Sequence, residues 1–182
     1  VMALSYEVLK NTAKANELYR ELIKENTKKP DVYIKIFAAN QAEKQTDKAI
    51  NVLKRGVKNL PENAQLKALL GSTYLQAGQK EEAEKIVQSL LALGEKKEVF
   101  NYVGDIYRDA SDIAKAEEYY NKSLALDAAQ TDAYFGLAST YFNKAVDVLK
   151  EADKVPLDDM TGAYDKLKNE SFDYFKKAIP NY

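Results

Sequence analysis

Ala15, Ala49 and Ala83 stand 34 residues apart, and Ala116 follows 33 later. Tyr74, Tyr107 and Tyr141 keep the same beat, at 33 and then 34. A period in the thirties, carried by small residues and aromatics, predicts an array of helical repeats. Each unit of such an array contacts only its neighbours, so chain length counts repeats and does not set the size of one core. The period therefore sets the architecture and points to protein binding as the role. It does not name a partner.

Glycine and proline are scarce, at seven and four. Ala, Leu, Lys, Glu and Gln fill amphipathic stretches of roughly 12–16 residues without β-branched alternation, a pattern that favours helix over strand. Short polar breaks fall at 26–30, 44–47, 59–63, 77–80, 93–96, 109–112 and 127–130. Several begin or end with the Asn, Asp, Gly or Pro that punctuate helix boundaries. The chain is expected to be all-α, built from helix–turn–helix hairpins.

Segments starting at Pro30, Ala64, Lys97 and Thr131 align with one another. Their fourth positions are Tyr33, Lys67, Phe100 and Tyr134, and their seventh Ile36, Leu70, Val103 and Leu137. The eighth are Phe37, Gly71, Gly104 and Ala138; the eleventh are Asn40, Tyr74, Tyr107 and Tyr141. In the second helix, position 20 is Ala49, Ala83 and Ala116, and position 24 is Leu53, Val87 and Tyr120. Small residues at 8 and 20 let paired helices approach, while large ones at 4, 7, 11 and 24 fill the space between them.

This pattern resembles the tetratricopeptide repeat, W-x2-L-G-x2-Y followed by A-x3-F and P. Residues 69–87 and 102–120 carry it best. Lys67 at an aromatic position, Phe37 at a small one and Asn40 at a tyrosine position depart from it, and only Pro61 keeps the terminal proline. The resemblance implies a right-handed α-solenoid over the whole chain: a partial repeat at 1–29, with Ala3, Tyr6, Ala15 and Tyr19 in phase, then repeats at 30–63, 64–96 and 97–130. A divergent unit follows at 131–182. Its first helix keeps its apolar phase through Ala145, Val148, Leu149 and Ala152, and a second runs through Tyr164, Leu167, Phe172, Phe175 and Ile179. The pair is expected to form an elongated hairpin. Position 20 falls either on Ala178, with Tyr182 at 24, or on Ser171, with Phe175 at 24, for insertions of about 28 or about 21 residues. Pro180 is expected to kink or end the last helix.

Basic and acidic residues number 27 and 28, so no basic excess offers itself to a phosphate backbone and nucleic acid is not an expected partner. The thirteen tyrosines fall mostly at core positions, against a base-stacking platform. The chain holds no cysteine and no histidine, which removes thiol chemistry, disulfides, thiolate or imidazole metal ligation and the usual proton-transfer side chain. No enzyme activity, cofactor or metal is expected. Asp158-Asp159 reads as a helix cap and not as a cation site or acid–base pair. Asn121-Lys122-Ser123 and Asn169-Glu170-Ser171 match the glycosylation pattern within helical segments. No apolar run is long enough to cross a bilayer. Both ends fall inside helical patterns, as in a piece of a longer protein, and the sequence names no compartment.

In the family the first helix of each hairpin lines a concave face, onto which positions 2, 5, 9, 12 and 13 point. The resemblance thus implies a partner-binding groove drawn from Leu75, Gln76, Asn101, Asp105, Arg108, Asp109, Phe135, Phe142 and Asn143. Phe135 and Phe142 would be aromatic anchors beside an acidic and amide patch, which Glu98 extends. Two blander readings stand beside this one: both phenylalanines pack into the long hairpin, and the charges form a solvated face. Family members that grip a chaperone's C-terminal carboxylate use lysine, arginine and asparagine on this face. The 5/9 pairs here are Ile34/Ala38, Ala68/Ser72, Asn101/Asp105 and Phe135/Ser139, without a lysine and with a carboxylate that would repel. The expected function is non-catalytic binding of a partner peptide or helix in the groove. The alternative is a self-associating scaffold, a homo-oligomer formed through exposed solenoid ends.

Overall fold

The computed structural model describes residues 11–156 and 161–178. The expected phase of Ala3 and Tyr6, the Asp158-Asp159 cap, Ile179, the Pro180 kink and Tyr182 lie outside those residues. Among the described residues every regular element is a helix. Residues up to Leu93 form one compact unit and those from Gly94 a second.

The N-terminal unit contains α1 (Thr12–Lys24), α2 (Pro30–Ala42), α3 (Thr46–Asn59), α4 (Ala64–Gln76) and α5 (Lys80–Leu91). The C-terminal unit contains α6 (Lys97–Asp109), α7 (Ile113–Leu126), α8 (Thr131–Ala152) and α9 (Ala163–Ala178). Consecutive helices pack as hairpins, α2 with α3, α4 with α5, α6 with α7 and α8 with α9. The first helices begin at the four residues that opened the sequence alignment, and the breaks fall at the predicted segments. Local chemistry explains four of the starts. Pro30 takes the first turn of α2, where no donor is needed. Asn11, Asn63 and Asp112 accept from the amides of Lys14, Leu66 and Lys115 at 3.2, 2.8 and 3.2 Å.

The turns inside the three regular hairpins, α2–α3, α4–α5 and α6–α7, are the same object. Lys44, Gly78 and Ser111, each fifteenth in its repeat, have φ of 56°, 74° and 57°. Each amide donates to the carbonyl three residues back (Gln41, Leu75, Arg108), and the next amide to the one five back (Asn40, Tyr74, Tyr107), all at 2.8–2.9 Å. This Schellman closure needs a left-handed residue, which only Gly78 supplies without steric cost.

Positions 20 and 24 are buried in all three regular repeats: Ala49, Ala83 and Ala116, then Leu53, Val87 and Tyr120. Position 7 is buried through Ile36, Leu70 and Val103. Two core columns were not legible in advance. Position 3 (Val32, Leu66, Val99, Ala133) and position 27 (Gly56, Leu90, Ser123) are also buried. A Cβ on Gly56 would lie 3.1 Å from the Tyr33 ring, so the small residue there is a packing requirement. The departures resolve individually. Lys67 buries its stem and donates from Nζ to the Ser89 carbonyl at 2.9 Å, and burial holds its pKa below the usual lysine range. Phe37 is half-buried against the core. Tyr134, at a core position of the motif, is 45% exposed.

At 22 residues α8 is much longer than the 13-residue α6. Ala145, Val148 and Ala152 are buried along it, whereas Leu149, expected in the same apolar phase, is exposed. Ser171 is buried on α9 and donates to the Ala145 carbonyl at 2.8 Å. Seven residues further along, Ala138 and Ala178 line a common cleft. Both candidates for position 20 therefore turn toward α8.

Candidate functional site

In the C-terminal unit the two first helices, α6 and α8, pack against each other. Helical periodicity puts Glu98, Asn101, Asp105, Arg108 and Asp109 on one stripe of α6. On α8 it aligns Asp132, Phe135, Ser139, Phe142, Val146 and Leu149. One stripe is acidic and the other, Ser139 aside, is apolar beyond its first residue.

The acidic stripe is tied to the core by Tyr120 of α7. A Cβ on Gly104 would meet the Tyr120 ring at 2.7 Å, and one on Gly136 at 2.3 Å, so the ring lies between two helices bare of side chains at that level. Its hydroxyl donates to Asp105 Oδ1 at 2.7 Å and accepts from the Arg108 guanidinium at 3.1 Å. Arg108 also pairs with Asp105 at 2.6 Å and Asp109 at 3.0 Å. Burial raises the Asp105 pKa above the usual carboxylate range, only partly opposed by Arg108 and Tyr120. The Tyr120 hydroxyl is raised too, by burial and then by Asp105. Tyr102, on the same helix, is raised by burial first and then by the charges of Asp105, Asp132 and Glu98. Arg108 is already engaged twice, so the patch is net negative.

Asn101 is 7% exposed, and its Oδ1 makes no hydrogen bond. The residue was expected on an open face; instead it is packed in, carrying an acceptor that nothing among the described residues satisfies. A buried carbonyl in that state costs about 1–3 kcal/mol.

The apolar stripe is open. Phe135 is 72% exposed and Phe142 53%. Phe142 also meets Phe175 of α9 edge-on, with centroids 5.5 Å apart, so packing into the hairpin accounts for part of one phenylalanine and none of the other. Beside that pair lies a cleft of about 430 Å³ lined by Ala138, Ser139, Phe142, Asn143, Phe175 and Ala178. Asn143 is exposed at its rim.

The structure thus gathers Asn101, Asp105, Arg108, Asp109, Phe135, Phe142 and Asn143 in one unit. Leu75 and Gln76 belong to the other. There Leu75 is half-buried against the core and Gln76 is exposed at the end of α4. Phe175, Tyr120 and Leu149 were missed as neighbours of the site. Leu149 had a signal, standing seven residues after Phe142; Tyr120 had none beyond its core position. The N-terminal unit has its own cleft of about 460 Å³, where Asn40 replaces the motif tyrosine and Arg20, Lys48, Glu43 and Asn51 form part of the lining.

Hairpins stacked in this way define a helical-repeat interaction module. Residues 9–70 and 41–101 match one family model, Tetratricopeptide repeat, and residues 99–130 match a second of the same description. The chain belongs to the tetratricopeptide repeat family. No curated protein sequence matches it significantly. Among solved structures, a crystal structure of MamA has a TM-score of 0.55 at 20% identity, over 98% of this chain and 92% of that one. A human IFIT1 dimer with m7Gppp-AAAA has a TM-score of 0.55 at 19% identity, over 93% of this chain and 39% of IFIT1. At such identities the likeness shows the fold alone. Proteins of this fold are generally non-catalytic. Among the described residues, no helix is long and apolar enough to cross a membrane.

Proposed function

We propose that the chain is a non-catalytic module that holds a segment of a partner protein on the first-helix face of its C-terminal unit. Phe135 and Phe142 are the apolar anchors, and Asn143 and the Asp105–Arg108–Asp109 group orient the segment. The supporting observation is the exposure of two phenylalanines beside an open cleft, in a unit that buries Tyr107 and Tyr120. Aromatic anchors of this kind carry most of the energy in protein interfaces. The helices are ordered before binding, so the partner bears most of the ordering cost.

The test is affinity capture from source extract with the chain and with a Phe135→Ala/Phe142→Ala variant of unchanged circular dichroism. The captured protein is then purified and titrated against both. Affinity is expected to fall at least about tenfold in the variant, with little change in melting temperature because the side chains are exposed. Equal affinity would remove the binding site from this face. A chain that captures only itself and gains mass with concentration would replace this reading with self-association.

A further inference from the structure

Resting on that reading, the two stripes also specify the occupant. We infer that it is a basic amphipathic α-helix, laid along α8 with its cationic flank over α6. Phe135, Phe142 and Leu149 recur every seven residues, spanning about 21 Å at ~1.5 Å per residue. Ser139 and Val146 fall between them and leave shallow steps. A seven-residue seam fits the apolar face of a second helix, whose own side chains return at the same interval. An extended peptide presents a side chain to one face every ~6.6 Å, which does not match anchors ~10.5 Å apart. The length of α8 matters here, because a helix of the size of α6 would end before Leu149.

Charge sets the other flank. Glu98, Asp105, Asp109 and Asp132 are the carboxylates of the two stripes, and Arg108, their one cation, already pairs with two of them. A lysine or arginine from the occupant neutralises the patch. Acidic helices meet repulsion at the same place.

The test uses the full chain and labelled synthetic peptides of about 21 residues, three heptads. One has leucine along its seam and lysine or arginine on its flanks. A twin carries glutamate at the flanks, and another carries a central proline. By fluorescence anisotropy the basic peptide is expected to bind at least about tenfold tighter than either control, with the margin over the acidic twin shrinking as salt rises. Glu98→Lys/Asp132→Lys should reverse the charge preference. Phe135→Ala/Phe142→Ala should abolish peptide binding. Equal binding of the acidic or proline peptide overturns the inference. So does failure of the basic peptide to bind, and if the captured partner still depends on the two phenylalanines, only the occupant's chemistry falls. If neither partner nor peptide responds to them, the face itself falls.

Discussion

A tyrosine at position 120 fits only because two neighbouring helices are bare where its ring lies. Gly136→Ala would place a methyl 2.3 Å from a ring carbon that is fully buried. Overpacking of this kind costs about 1–3 kcal/mol, so the variant should melt earlier by thermal circular dichroism, and more so than Gly104→Ala. Asp105, held by the same hydroxyl, gives a prediction in pH. Its folded-state pKa lies above the ordinary carboxylate value, so the folded chain keeps this proton where the unfolded chain has lost it. The group's contribution to stability is greatest on the acid side. It declines as pH rises from the ordinary value through the raised one, and is flat above. Carboxyl NMR should find Asp105 titrating above the ordinary carboxylate value. Denaturant midpoints followed with pH should lose this component in Asp105→Asn. None of this was visible in the sequence, which gives the face a residue occupies but not what another helix sets against it. For that reason Asn101 read as open and is buried.

Elements were far more legible than contacts. Helix starts at Pro30, Ala64, Lys97 and Thr131, and the breaks between helices, follow from periodicity, helped by the first-turn proline at Pro30 and the Asn63 cap before Ala64. The long hairpin was legible as well, because the apolar phase of α8 does not stop. Its outer stripe was harder, since Leu149 looks like Ala145 and Val148 by hydrophobicity and differs only in the absence of a partner. The turns yield the sharpest prediction at this scale. Lys44 and Ser111 hold the left-handed conformation that Gly78 holds freely. Lys44→Gly and Ser111→Gly should each stabilise the chain by about 0.5–1 kcal/mol, the relief of side-chain strain exceeding the added freedom of the unfolded chain. Urea titration of the two single variants and their double would show it, and the effects should add because the turns share no contacts.

For the molecule as a whole, the period read from alanines and tyrosines was enough to assign a helical-repeat fold, because every unit solves the same packing problem. It does not by itself reveal that residues up to Leu93 and from Gly94 cluster as separate compact units. The connecting stretch 92–96 is largely exposed, with Gly94 at φ 101°. Among the described residues, brief protease treatment should cut there before it cuts within either unit, giving two fragments resolvable by mass spectrometry. The site proposed above lies in the C-terminal fragment, so a cut chain should retain peptide binding.

Tyr120, Gly104 and Gly136 come from three different helices yet cannot vary freely of one another. A bulkier residue at either glycine is tolerable only after the tyrosine has been exchanged for something smaller, and a smaller residue there leaves a hole that alanines would then fill. Among variants of this chain, the path through these three positions has a direction: the aromatic must go first. Libraries randomised at all three should return survivors with both glycines or with neither tyrosine nor glycine, and few between. Ancestry at this spot would be written as a sequence of dependent steps.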